Sequence, residues 1–360
     1  TLLADDGVIV SHIDEHELAH LLLLMAEVFG EENRLGVVVW DKRNPKGDAR
    51  GLSYQHEHIV LWSKNIAKAT GRNALRRTKR NAAEMLAKAA KLFADHKRGA
   101  ATLEQVNARF GAWLRDQPFS GGELAYSRID EAGEVYQAVS MAWPNKKAAP
   151  AEYFLPLSHP VTGQACPVPA RGWRNPPDTM ARLAAAGEIV FGPDHTTQPR
   201  RKYRLSDNLE ENLPSILAYG GSDDALLSSL GIPFDHPKPL KVACELVALA
   251  RDDGDIVLDF FAGSGTTGHA VMALNAADGK TRRYILIQLP EPLDSASKSQ
   301  KAAADLCDRL GKPRTIAELT RERLRRAAAR IRTEYPDTPA DLGFRAYALA
   351  PFLSRRTAAN

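Results

Sequence analysis

Apolar and polar positions switch between a two-residue and a 3.6-residue period along the chain, and the switch points delimit its elements. Gly7-Val8-Ile9-Val10-Ser11-His12-Ile13 reads as a buried strand. Asp14 to Glu17 follows with D-x-x-E spacing, a capping box that predicts a helix from Glu15 to about Phe29 and makes Asp14 a cap rather than a catalytic acid. Two β-rich runs, Gly36 to Trp40 and His58 to Trp62, are joined by the polar, glycine-containing segment Asp41 to Glu57, which predicts a long hairpin with a mobile tip. From Ile66 to about Leu213 the pattern changes to basic helix and then to short strands interrupted by Pro and Gly, such as Val135 to Ser140 and Glu188 to Phe191. This stretch has the look of an inserted second domain. Beyond it, helix-like Leu240 to Arg251 leads into the strand Ile256 to Phe260, a glycine-rich turn, a helix from about Thr266 to Asn275 and the strand Tyr284 to Leu289, which together make a βαβ unit. Thr315-x-x-Glu318 then predicts the capped start of an Arg-rich helix running to about Thr333, ended by Pro336 and Pro339. No internal repeat or low-complexity tract interrupts the pattern.

Length and composition narrow the classes. A chain of 360 residues is long enough for two domains with separate cores, and 44% hydrophobic with 26% charged residues excludes general disorder. The apolar run Leu21 to Met25 is far shorter than the ~20 residues that cross a bilayer, so no membrane segment or secretory signal is expected. Cys166, Cys244 and Cys307 are widely spaced without a C-x-x-C pair, which argues against a disulfide framework or zinc ribbon and fits a reducing cytoplasm; no metal is expected.

Charge is more informative in its distribution than in its sum. Lys64 to Arg98 holds eleven Lys or Arg against two acids, Glu84 and Asp95, so this segment carries +9 and the rest of the +4 chain is net −5. Polyanion binding and a merely solvated helix face stand level on that count. A second cluster, Arg200, Arg201, Lys202 and Arg204, adds to the first. Trp113, Trp143 and Trp173 could stack on bases, although packing a small core is the commoner fate of such rings.

Gly263-Ser264-Gly265-Thr266-Thr267-Gly268 matches G-x-G-x-x-G after a strand and at a helix start, where backbone amides can approach a ligand closely. The pattern alone does not separate a dinucleotide from S-adenosylmethionine. Its surroundings carry a resemblance. Val257 to Thr267, with Asp259-Phe260-Phe261-Ala262-Gly263 at its heart, resembles the cofactor motif of DNA amino-methyltransferases, and Phe234-Asp235-His236-Pro237-Lys238-Pro239 resembles their motif for the methionine part of the cofactor. Leu3 to Ile9 with Ile13-Asp14, His56 to Val60 with Lys64-Asn65, Tyr284 to Glu291 and Leu342-Gly343-Phe344-Arg345 extend the likeness. Together they look like the modification subunit of type III restriction-modification systems, or a stand-alone relative.

The resemblance implies an α/β, doubly wound S-adenosylmethionine-dependent methyltransferase fold with an inserted target-recognition domain. Residues 1–65 and 216–335 would form the catalytic domain, 66–215 the insertion and 336–360 a C-terminal extension. It implies S-adenosyl-L-methionine as cofactor, contacted by Asp259, Phe260, Gly263, Gly265 and Thr266, with Lys238 and Pro239 from the upstream motif and Gln288 or Glu291 at the ribose. The expected reaction is methyl transfer to an exocyclic amine of double-stranded DNA, adenine N6 first, with phosphate contacts expected from Arg76, Arg77, Lys79, Arg80, Arg200, Arg201 and Lys202. A homodimer and a restriction subunit are further partners it admits. The family's Asp-Pro-Pro-Tyr type catalytic loop would precede the strand at Gly7, which places it before Thr1 and leads to the expectation that the chain starting there transfers no methyl group. Asn175-Pro176-Pro177-Asp178 lacks the aromatic of that loop, and a proline turn opening a helix at Thr179 is the plainer account. Two other classes remain open: a nicotinamide-dependent oxidoreductase, which needs a second nucleotide-binding half after Glu291, and a non-catalytic DNA-binding protein that keeps the fold.

Overall fold

Strand His56–Ser63 is apolar on both faces from Ile59 to Trp62, and a strand of that kind has to lie inside a sheet covered on both sides. In the structure, a computed structural model that describes residues 2–43, 52–117 and 119–348, it does so. It pairs antiparallel with Val8–Ile13 on one side and Arg34–Asp41 on the other, and Ile216–Ala218 adds parallel to Arg34–Asp41. Val38, Trp40, Ile59 and Leu61 face a core shared with Leu217 and Val242 of helix Leu240–Val247, while Val60 and Trp62 face Met25 of helix Leu18–Phe29. The hairpin expected from the two β-rich runs is therefore present; its tip, residues 44–51, lies outside the described residues.

Three expectations about this region need correction. Val8–Ile13 is an edge strand whose six residues are all only partly buried, because among the described residues it pairs on one side alone. The first helix begins at Leu18 rather than Glu15, and the capping box does not form. The Asp14 carboxylate instead accepts the His16 N–H at 3.1 Å, a local turn that uses up the group needed as a cap. Likewise helix Ile316–Glu334 starts where the spacing placed it, but Thr315 makes no side-chain cap and Glu318 pairs with Arg321.

The βαβ unit is observed. Strands Ile256–Asp259 and Arg283–Leu286 pair in parallel, joined by helix Thr266–Asp278. Val257, Tyr284 and Leu286 pack among side chains of that helix, and Met272 in turn packs on Leu324, Ala327 and Ile331 of helix Ile316–Glu334. The other face of the pair leaves Ile256, Ile285 and Ile287 about half exposed. A single doubly wound sheet was expected, whereas the described residues form separate four-stranded and two-stranded sheets here. The architecture is mixed α/β. Helix Leu240–Val247 packs against both sheets, with Val242 in the core of the four-stranded sheet and Ala243 and Cys244 beside Val257 of the pair. The Arg72 guanidinium adds ion pairs to Asp6 at 3.0 Å, ahead of the first strand, and to Asp252 and Asp255 at 2.7 Å, ahead of Ile256–Asp259.

The chain divides into two compact units, one running to Arg77 and resuming at Asn212, the other Thr78–Glu211. All elements above belong to the first. In the second, helices Ala82–Lys97 and Leu103–Arg115 enclose Met85, Phe93, Val106 and Phe110, the latter helix opened by a Thr102/Gln105 capping box. Its antiparallel sheet runs in the order Arg128–Ile129, Val135–Ser140, Arg200–Arg204, Ile189–Val190. Trp113 packs against the helical core, Trp173 is buried with its indole N–H on Leu155 O at 2.8 Å, and Trp143 donates to Lys147 O at 2.8 Å. Pro176 and Pro177 open helix Pro177–Ala185, as a proline turn does. Among the described residues no helix is long and apolar enough to cross a membrane.

Candidate functional site

The site is built around the turn between Asp259 and Thr266. Gly263 and Gly265 have φ of +51° and +83°, a region that penalises any side chain. Their surroundings differ. A Cβ on Gly265 would come within 3.0 Å of Thr320 Cγ2, and one on Gly268 within 2.8 Å of Leu324, so these two glycines let helices approach. A Cβ on Gly263 would meet nothing nearer than 3.8 Å. Gly263 is partly exposed and uncrowded, with Phe261 O and Phe234 Cζ at ordinary contact distance from such a Cβ, and it is flanked by Phe261, which is 90% exposed, and the half-exposed Phe260.

Asp259 organises the turn from within. Its carboxylate accepts the Phe261 N–H at 3.0 Å and the Thr267 hydroxyl at 2.6 Å. Gln288, just beyond the second strand, accepts the Gly263 N–H at 2.7 Å and donates to Leu289 O at 3.2 Å, so its amide is occupied with the turn. Glu291 is exposed. Thr266 points inward: its hydroxyl lies 2.8 Å from Arg323 Nη1, within a nearly closed environment, and is a support rather than a surface contact.

Lys238 brings the upstream motif to the same end of the strands. Its ammonium pairs with Glu57 and lies 5.2 Å from the Trp40 ring centre, while Lys42 reaches Glu57 at 2.8 Å and the same ring at 5.6 Å. Burial alone would raise the Glu57 carboxyl, but its bonds to Lys238 and Lys42 hold it below the usual carboxylate range. Pro239 is buried and precedes helix Leu240–Val247. The His12 ring meets Trp40 edge-on at 6.1 Å; burial pushes its imidazole down to about 4, with Lys238 adding to the effect and Glu57 and Asp259 opposing it. The ring is neutral at pH 7.

Apart from Glu291, the sequence-predicted cofactor residues are brought together, in two roles. Gly263, Phe260 and Lys238 are partly or fully exposed beside the turn, while Asp259, Gly265, Gln288 and Thr266 hold it. Glu57, Lys42, Trp40, His12, Thr320 and Arg323 were not anticipated. Glu57 lies inside the His56 to Val60 stretch that carries part of the resemblance, which was the available signal. The others have none in their local sequence.

The expected phosphate contacts divide similarly. Arg77 pairs with Glu245, the buried Lys79 donates to Asn208 O and Glu210 O, and Lys202 pairs with the buried Asp130 at 3.0 Å. These three side chains are largely buried, their donors taken by carboxylates and carbonyls distant in sequence. Arg201 reaches Glu188 at 3.5 Å and covers Tyr203. Arg76 is partly buried, its carbonyl accepting from Arg251 at 2.9 Å. Arg80 and Arg200 are exposed.

Residues 1–291 match the family described as DNA methylase, the N6 and N4 methyltransferases. Over 97% of its length the chain is 30% identical to the type III restriction-modification enzyme EcoP15I Mod subunit of Escherichia coli, covering 51% of that protein. Over 97% it is also 31% identical to the StyLTI Mod subunit of Salmonella typhimurium, covering 46% of it. The type II methyltransferase M.KpnI of Klebsiella pneumoniae is 24% identical over 84% of the chain, which covers 66% of that enzyme. The chain spans about half the length of the two Mod subunits it matches. A match of that extent, with the glycine turn, the Lys238 segment and their order all in place, makes this chain a member of the DNA methylase family.

Proposed function

We propose that the chain binds S-adenosyl-L-methionine at the glycine turn and belongs to a cytoplasmic, site-specific DNA methyltransferase that modifies adenine N6. The observation that carries the reading is the partly exposed, left-handed Gly263 at the head of the turn, with no backbone or side-chain atom crowding it and the exposed Phe260 and Phe261 beside it. When bound, the cofactor supplies an electrophilic sulfonium methyl to an exocyclic amine. The remaining work falls to the chain. Lys238, steadied by Glu57 and Trp40, offers its ammonium to the methionine carboxylate. Phe260 gives the adenine an apolar surface, and the exposed Glu291 takes the ribose hydroxyls while Gln288 holds the turn. Unit Thr78–Glu211 serves as the target-recognition domain, with Arg80 and Arg200 meeting phosphates. The doubly wound sheet of such enzymes is the arrangement to which the two sheets here belong. By analogy with the Mod subunits, a second copy and a restriction subunit are its partners.

Calorimetry with S-adenosylmethionine and NAD tests the reading. Binding of S-adenosylmethionine alone, abolished by Gly263→Val, is expected; NAD binding in its place would return the site to oxidoreductase chemistry. In a methyl-transfer assay with labelled cofactor, methyl recovered from duplex DNA as N6-methyladenine is expected, and recovery on cytosine would move the target to N4.

A further inference from the structure

Arg323 lies in helix Ile316–Glu334 and is fully buried. Its Nη1 donates to Ser264 Oγ at 2.5 Å and to Thr266 Oγ1 at 2.8 Å, on either side of Gly265. Nη2 faces Asp223 at 3.8 Å, and among the described residues neither Nη2 nor Nε has a hydrogen-bond partner. Asp223 itself accepts the Leu240 N–H at 2.5 Å, the first amide of the helix that follows Lys238 and Pro239. The Thr266 hydroxyl also reaches Lys238 O at 3.4 Å. One helical turn before Arg323, Thr320 donates to Gly263 O at 2.5 Å. One side chain therefore joins the glycine turn to the Lys238 segment, two stretches of chain that have no covalent reason to keep a fixed spacing.

A guanidinium buried with part of its hydrogen-bonding capacity unused is a poor source of stability, since an apolar side chain of similar volume is often as stable or more so. Burial also pulls the Arg323 guanidinium down to about 10, still charged at pH 7. Burial depresses the neighbouring His269 to about 3, so that ring adds no second cation. What an arginine provides at this point that leucine or methionine does not is direction: fixed donors aimed at two hydroxyls and one carboxylate.

We propose that Arg323 is a positioning residue that holds the glycine turn, Gly263 to Thr267, and the Lys238 to Leu240 segment in the register needed for cofactor binding. The proposal rests on the reading that these two segments take S-adenosylmethionine. It adds to that reading a residue far outside both motifs, acting on the ligand only through Ser264, Thr266 and Asp223.

The test pairs Arg323→Met with Asp223→Asn, because methionine alone would strand a buried carboxylate, whereas asparagine still accepts the Leu240 N–H. The double variant is expected to unfold within a few degrees of the parent and to keep its affinity for duplex DNA, yet to bind S-adenosylmethionine at least tenfold more weakly. Arg323→Lys, which keeps the charge and one donor direction, is expected to recover part of that loss. Amide hydrogen exchange supplies a readout that needs no cofactor: residues 263–268 should exchange faster in the double variant while the strand His56–Ser63 is unchanged. Unaltered exchange at the turn, or unaltered affinity in the folded double variant, overturns the proposal. If the parent chain binds no S-adenosylmethionine but the exchange at the turn still depends on Arg323, the cofactor reading fails and the coupling stands.

Discussion

The glycine turn and the basic stretch from Lys64 to Arg98 solve the problem of polar groups in different ways. At the turn the first partners are close by: Asp259 serves Phe261 and Thr267, and the Gly265 N–H donates to Ala262 O at 2.7 Å. In the basic stretch several partners are remote, although Arg98 pairs with nearby Asp95. Arg72 goes to Asp252 and Asp255, Arg77 to Glu245, and Lys79 to the carbonyls of Asn208 and Glu210. A tight turn is shaped by the conformations its own residues allow, whereas a long cation ends on whichever acceptor the fold delivers. Counting basic residues along the chain therefore overstates the charge left for a polyanion. Only a part of the +9 remains on the surface, with Arg80 and Lys91 among its exposed members.

The comparison breaks most visibly at Lys79. Replacing it with glutamate puts a carboxylate against the Asn208 and Glu210 carbonyl oxygens, and the expected loss is about 3–5 kcal/mol in denaturant unfolding of the unit that contains it. Unchanged stability with weakened DNA binding would make Lys79 a phosphate ligand after all. Next in size, Gly265→Val should cost roughly 2–4 kcal/mol, since its methyl groups enter the space of Thr320 at a positive φ. Gly263→Val, whose added Cβ would sit at ordinary contact distance, 3.8 Å from Phe261 O and 4.0 Å from Phe234 Cζ, should cost only the conformational part, about 1–2 kcal/mol, and act on cofactor affinity instead. Equal melting temperatures for the two variants would erase the distinction between a packing glycine and a ligand-facing one.

Acid should weaken the first unit. His12 and His269 have imidazoles depressed to about 4 and about 3, so the unfolded chain takes up their protons first as pH falls. Stability is full above the ordinary histidine value near 6.5 and declines as pH drops from there through about 4 for His12 and about 3 for His269. Thermal unfolding across pH 7 to 4 should show a shallower decline for His269→Gln than for the parent, and parallel slopes would show that His269 titrates freely. The smallest effect belongs to the surface. Glutamate at Lys91 and Arg200, both exposed, should leave stability within about 0.5 kcal/mol. For each of these cations that meets a phosphate, the plot of log affinity against log salt should flatten by about one unit of slope. An unchanged slope would assign those side chains to solvent.

Much of the candidate site was open to reading from the residues. Gly263 to Gly268 between a strand and a helix specifies a turn whatever lies around it, because only glycine takes φ of +51° and +83° without strain. Helix starts were less legible. At Asp14 and at Thr315 the right spacing was present, but a local turn in one case and an Arg321 partner in the other took the polar groups away from the cap.

The sequence by itself determined the βαβ unit, the hairpin of Arg34–Asp41 with His56–Ser63, and the closeness of Asp259 to its turn, because the first two are written in local periodicity and turn residues and the third in partners a few residues along the chain. Only the tertiary structure decided that, among the described residues, Val8–Ile13 is an edge and Ile256–Asp259 with Arg283–Leu286 forms a separate pair, and that Thr266 looks inward at Arg323. It also decided which cations are spent internally and that Glu57 holds Lys238 from 181 residues away. The reason is physical. Backbone preference is a property of a residue and its neighbours, while a strand's outer partner or an ammonium's counterion is fixed by packing of the whole chain, which no local pattern encodes.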